Sequence, residues 1–142
     1  MNHRIIIFLP AIICFTSCAD EVAKKDINPN GSSELAVLMR SMFDDGLKVK
    51  EAVIAGEDAS VNCDYARIHT AKATDPEKVA HPSYASFASA YESSVDAFNA
   101  ATPFQQKEAY KHMVKSCIDC HTEVCPGPIR KIRKLALPDD VK

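Results

Sequence analysis

The chain has 142 residues, 46% of them hydrophobic and 25% charged, and it carries 17 basic and 19 acidic side chains. This length supports one globular domain. The formal charge of −2 excludes the strongly basic surface of an electrostatic nucleic-acid binder, so we expect no nucleic-acid partner. Six cysteines in such a chain indicate disulfides, a metal site or a covalently attached cofactor, and their spacing distinguishes these cases.

Residues 1–18 have the features of an export signal that ends in a lipoprotein box. A positively charged start precedes an apolar run, 5–15, that is too short to span a bilayer. A small residue then precedes Cys18, so we expect cleavage before Cys18 and lipidation of its thiol. Ordinary cleavage after Ala19 is the alternative. Both predict export to the bacterial periplasm or cell surface, and residues 19–32 resemble a flexible tether to a membrane.

The first half of the domain contains two predicted helices. The first begins at Ser32 or Ser33, either of which can cap its N-terminus, and ends at Gly56, which can serve as the C-cap. Its apolar side chains recur at helical spacing: Leu35, Leu38, Met39, Met42, Val49 and Val53. A second, shorter helix of weaker periodicity is predicted over residues 64–71, before proline-containing breaks.

The second half contains two more predicted helices. In the third, apolar and aromatic side chains recur at helical spacing from Tyr84 to Phe98. The fourth begins at Thr102, with Pro at the first helical position and Gln105 at the third, and it ends before the Pro126-Gly127-Pro128 turn. No segment alternates with a period of two residues. The sequence therefore predicts an all-α domain over residues 33–142, a four-helix up-down bundle followed by a C-terminal tail.

The fourth predicted helix contains the motif Cys117-Ile118-Asp119-Cys120-His121. This C-x-x-C-H spacing is the attachment signature of c-type haem. Positions 117, 120 and 121 share one helix face, so both thiols can bond to the haem vinyl groups while the imidazole ligates the iron. Predicted export supports this interpretation, because bacteria attach c-type haem outside the cytoplasm. A redox-active cysteine pair would need a neighbouring strand, and a zinc site would need further ligands at suitable spacing.

An exported, all-helical chain with one C-x-x-C-H motif in its last long helix resembles the cytochrome c′ family, the class II c-type cytochromes. The resemblance covers residues 33 to 125 and depends on architecture and one motif. It implies one covalent haem c inside the bundle, attached at Cys117 and Cys120, with His121 as the proximal iron ligand. It also implies that the first helix covers the other side of the iron. Members with an apolar residue there are five-coordinate, and members with Met there are six-coordinate and low-spin.

The first helix offers Met39 and Met42 as distal iron ligands. A helical Met is ordinarily a core residue, but this helix holds two of the chain's four methionines, and a thioether suits haem iron. In relatives that ligate through Met, the ligand lies early in the first helix, so the resemblance favours Met39, with Met42 as the second choice. His69 or His81 is a further alternative, whereas His112 is expected to face solvent because it lies on the opposite helix face from the motif histidine.

These features predict an electron-transfer protein and not an enzyme, because no nucleophile–base pair or paired carboxylates stand out. Two alternatives stay open: a five-coordinate cytochrome that binds NO or CO, and a haem subunit of a larger redox complex. The expected partners are membrane-associated redox proteins, with the lipid at Cys18 anchoring the chain to a membrane. A homodimer also stays open.

The remaining cysteines and the tail leave two questions open. Export permits a disulfide between Cys63 and Cys125, although an up-down bundle would place them at opposite ends. The tail is strongly basic: Arg130, Lys131, Arg133 and Lys134. These side chains form either a solvated charge run or a set of partners for the haem propionates or for an acidic redox protein.

Overall fold

The computed structural model describes residues 33–138, which contain helices and irregular segments and no strand. The helices are α1 (Glu34–Ala55), α2 (Pro76–Val79), α3 (Tyr84–Ala100), α4 (Pro103–Glu123) and α5 (Ile129–Ile132), with 3₁₀ helices at Tyr65–His69 and Arg133–Leu135. The prediction of an all-α fold built from packed helices is confirmed. None of the helices in this range is long and apolar enough to cross a membrane.

The predicted signal peptide over residues 1–18, the lipidation site Cys18 and the tether over residues 19–32 lie outside the described residues. Their assignments stay predictions.

The predicted helix termini are confirmed where local signals set them. The Ser33 hydroxyl accepts a hydrogen bond from the Ala36 backbone N–H at 3.3 Å and caps α1. Gly56 ends α1 in the left-handed conformation, with φ of 72°, which a residue with a Cβ rarely adopts. At the start of α4, Thr102 and Gln105 form the reciprocal capping box that their spacing predicts.

The second predicted helix, over residues 64–71, is present as a shorter 3₁₀ helix, Tyr65–His69, and not as an α-helix. Only Ile68 is buried within it, so the segment has no apolar stripe long enough to stabilise an α-helix. The Ile68 carbonyl instead accepts a hydrogen bond from the Tyr84 hydroxyl at 2.8 Å. The 3₁₀ helix packs against both α1 and α3 and thereby takes the place of the predicted second helix between them.

The most extensive packing joins α3 to α4, which run antiparallel after a short turn. The Phe98 and Tyr110 rings meet edge to face, with centroids 6.3 Å apart, and the Ser94 and Ser116 hydroxyls lie 3.0 Å apart further along the pair. Helix α1 packs on α4 with buried Leu38 and Val49. This arrangement leaves the motif-bearing end of α4 facing α1.

Buried polar contacts attach the loop after α1 to α4. The Gln106 side chain is almost fully buried; its amide group donates to the Ala59 carbonyl at 2.7 Å and its carbonyl accepts from the Ala59 N–H at 3.1 Å. The same amide nitrogen donates to the Asp58 carboxylate at 3.0 Å. Both amide hydrogens and the carbonyl oxygen of this buried side chain therefore have partners, as its burial requires.

The C-terminal segment is part of the core and does not extend into solvent. Ile132, Leu135 and Leu137 are buried. The Tyr110 hydroxyl donates to the Leu135 carbonyl at 2.8 Å, and the Leu135 methyl groups lie against Gly46 of α1, where a Cβ would come within 3.4 Å. Leu135 thus packs against α1 at Gly46, where an added Cβ would be at ordinary van der Waals distance.

We expect Tyr110→Phe to lower the free energy of unfolding by about 1–3 kcal/mol, because the buried Leu135 carbonyl loses its donor. Tyr65→Phe is the matched control: its hydroxyl donates to Asp96 at 2.8 Å at the exposed surface, so the loss should be at most about 0.5 kcal/mol. Urea unfolding followed by circular dichroism measures both. Equal losses in the two variants would show that the Tyr110 contact does not hold the C-terminal segment.

Candidate haem-binding site

A cavity of about 600 Å³ lies between α1, α3 and the C-terminal half of α4. Its volume is in the range of small-molecule and cofactor sites. Most of its walls are apolar or aromatic, with contributions that include Leu35, Phe43, Tyr91, Met113 and Val114. The C-terminal segment closes one side of it.

The three motif residues all line this cavity. Cys117, Cys120 and His121 lie on one face of α4 and enter the cavity together, as the helical spacing predicts. Both cysteines are free thiols. The structure therefore brings the predicted haem-binding residues together against an apolar space.

Burial keeps both motif thiols neutral. It raises the pKa of Cys117 to about 12, with a smaller contribution from Cys120. It also raises the pKa of Cys120, with Cys125 contributing. These are the properties of buried thiols and not of the low-pKa thiolate of a redox-active cysteine pair. Within residues 33–138 no three His, Cys, Asp or Glu side chains converge as a metal-ion site.

The imidazole of His121 is held in one orientation by a backbone acceptor. Its Nδ1 lies 2.9 Å from the Cys125 carbonyl oxygen, and because a carbonyl only accepts, Nδ1 carries the hydrogen. Burial lowers the pKa of His121, and the bond to Cys125 opposes this shift in part. The side chain is thus a neutral imidazole with the lone pair on Nε2, which is the form that ligates iron.

This acceptor is a functional group that the sequence does not reveal. Every residue has a backbone carbonyl, so the residue type at position 125 does not indicate that its carbonyl binds His121. The sequence feature related to this contact is Pro126-Gly127-Pro128, which ends the helical pattern and turns the chain immediately after Cys125.

The wall provided by α1 holds both predicted distal residues. Met39 and Met42 line the same cavity as the motif, and both are partly buried against the core. The structure thus places both methionines of the first helix at the cavity that the motif residues line. The choice of Met39 over Met42 as an iron ligand stays a prediction.

The other histidines that the structure describes lie elsewhere. His69 forms an ion-pair contact with Glu92 at 2.9 Å, and His81 accepts a hydrogen bond from the Ser83 N–H at 3.3 Å. Neither lines the cavity. His112 is exposed, as predicted from its helical phase.

Cys63 and Cys125 are both free thiols in the structure. Cys63 follows α1, where its backbone N–H donates to Asp45 at 3.2 Å, and burial together with Asp45 raises its pKa to about 11. Cys125 lines the cavity beside His121. The two cysteines thus have separate surroundings, and the disulfide that export would permit is not formed.

The chain matches no family model, no curated protein and no solved structure. The resemblance to the cytochrome c′ family therefore depends on the motif and the helical architecture alone, and it stays a prediction.

Proposed function

We propose that this chain is an exported monohaem c-type cytochrome that transfers electrons, with its haem enclosed in a helical bundle of the cytochrome c′ type. The observation that carries the proposal is the convergence of Cys117, Cys120 and His121 on one cavity whose α1 wall contains Met39 and Met42. Two thiols one helical turn apart, followed by an imidazole, suit covalent haem attachment and iron ligation together.

The residues present fit this cofactor. Cys117 and Cys120 would hold the haem through thioether bonds, His121 Nε2 would be the proximal ligand, and Met39 would be the distal ligand, with Met42 as the second choice. When bound, the haem supplies a one-electron iron couple. The Cys125 carbonyl keeps the His121 ring in its orientation, and the apolar side chains Leu35, Phe43 and Val114 exclude water from the cavity.

The chain's position in the cell follows from the N-terminal prediction. A lipid on Cys18 would hold the domain close to a membrane, at the periplasmic face or the cell surface, with residues 19–32 as the tether. Its partners would be redox proteins at that membrane. The proposal assigns no catalytic residue.

The test is the absorption spectrum of the purified holoprotein, oxidised and reduced, with and without CO. We expect haem to remain on the chain in a denaturing gel, a low-spin spectrum in both redox states, and no spectral change with CO. A chain without covalent haem would overturn the cytochrome proposal. Rapid CO binding by the reduced wild-type protein would instead assign the five-coordinate, gas-binding function.

A further inference from the structure

The C-terminal segment separates its apolar and charged side chains onto two sides. Its buried side chains are Ile132, Leu135 and Leu137. The exposed side chains before and between them are cationic: Arg130, Lys131, Arg133 and Lys134. We call these four cations the basic rim. Because the apolar side packs into the core, the basic rim is held on fixed backbone and is not carried by a free tail.

The basic rim reaches the cavity through one of its four members. Lys131 lines the cavity, and its Nζ lies 4.4 Å from the centroid of the Phe43 ring, which also lines it. The buried neighbours Ile132 and Leu135 contribute to the same wall. On the adjacent α1, Lys50 donates to the Lys134 carbonyl at 2.8 Å and adds a fifth cation to this surface.

The four cations of the basic rim have no ion-pair partner in the part of the chain that the structure describes. The chain as a whole has a formal charge of −2, so this surface has the opposite sign to the molecule that carries it. Adjacent like charges repel each other. An anionic partner would remove this repulsion, and no acidic side chain among residues 33–138 forms an ion pair with these four cations.

We propose that the basic rim is the docking surface for an acidic redox protein. This inference rests on the proposed function, since the rim matters for electron transfer only if the cavity holds a redox centre. Complementary charge steers association and sets the orientation of the two proteins. An acidic partner docked here would place its own redox centre next to the cavity edge at Lys131. This proximity to the cavity favours a redox protein over an anionic membrane as the occupant.

The experiment measures electron transfer from the reduced holoprotein to hexacyanoferrate(III), an anionic oxidant, over a series of ionic strengths. Repulsion by the net negative charge of the chain would make the rate rise with salt. Attraction by the basic rim predicts the reverse, a rate that falls as salt increases. The triple variant Arg130→Gln, Arg133→Gln and Lys134→Gln should lose this dependence and react roughly tenfold more slowly at low salt.

These three residues do not line the cavity, so the variant should retain the wild-type spectrum. A matched control, Lys48→Gln, Lys107→Gln and Lys111→Gln, removes the same charge from α1 and from the N-terminal half of α4, outside the cavity lining. We expect the rate of this control variant to fall as salt increases, as we expect for the wild-type protein.

Two results would overturn the docking proposal. One is a redox-active wild-type holoprotein whose rate rises with salt and whose rim and control variants behave alike; the electron-carrier function would then stand without this surface. The other concerns lipid vesicles. If the holoprotein bound phosphatidylglycerol vesicles in preference to phosphatidylcholine vesicles, and the rim variant lost this preference, the surface would be assigned to a membrane. If the wild-type protein contained no haem, its absorption spectrum would show this before any rate was measured. That result would contradict the proposed function itself.

Discussion

The double variant Cys117→Ala and Cys120→Ala should contain no covalently attached haem, and its exported level should fall sharply. The two thiols are the attachment points that the proposed function requires, and both line the cavity. Without the cofactor, the apolar walls of a cavity of about 600 Å³ between α1, α3 and α4 lack a packing partner. A bundle of this size has few other contacts to offset that loss, because cofactor binding contributes to the stability of the native state.

Haem staining of a denaturing gel, alongside immunodetection of the mature chain, measures both effects. Either single variant should retain at most one thioether and an intermediate signal. Cys125→Ala is the matched control, because it removes a third thiol that lines the same cavity but lies outside the motif. We expect it to stain like the wild-type protein. Full haem loading in the double variant would end the haem c hypothesis.

Local signals account for the parts of the fold that the sequence predicts correctly. The caps at Ser33 and Gly56 and the capping box at Thr102 depend on residues within one turn of each other. The common face of Cys117, Cys120 and His121 follows from helix geometry once α4 is predicted. Such features need no knowledge of the tertiary structure, which is why periodicity and capping residues reveal them.

Tertiary contacts account for what the sequence does not predict. The 3₁₀ helix at Tyr65–His69 forms where a weak helical pattern meets two neighbouring helices, and those helices are distant in the chain. Gln106 is buried because residues 58 and 59 return to it from a remote loop. The basic tail docks because the Tyr110 hydroxyl reaches the Leu135 carbonyl. None of these partners can be identified from spacing along the chain.

Met39→Ala should convert the holoprotein from low-spin to high-spin and open its iron to CO and NO. A thioether opposite an imidazole fills both axial positions and raises the reduction potential. Met39 lines the cavity from α1 and His121 lines it from α4, and alanine in place of Met39 cannot ligate iron. The absorption spectrum of the oxidised and reduced variant, followed by CO addition, measures the change directly.

Met42→Ala is the matched control, because it deletes the same side chain one turn away on the same helix and from the same cavity wall. Met42 is only partly buried, so we expect its free energy of unfolding to fall by about 2 kcal/mol, which is the lower end of the range for a core methionine. We expect its spectrum to stay low-spin. A spin-state change in the Met42 variant alone would move the ligand by one turn and leave the fold and the function intact. A low-spin spectrum in both variants would require a ligand from outside α1, and it would contradict the assignment of a methionine to the distal position.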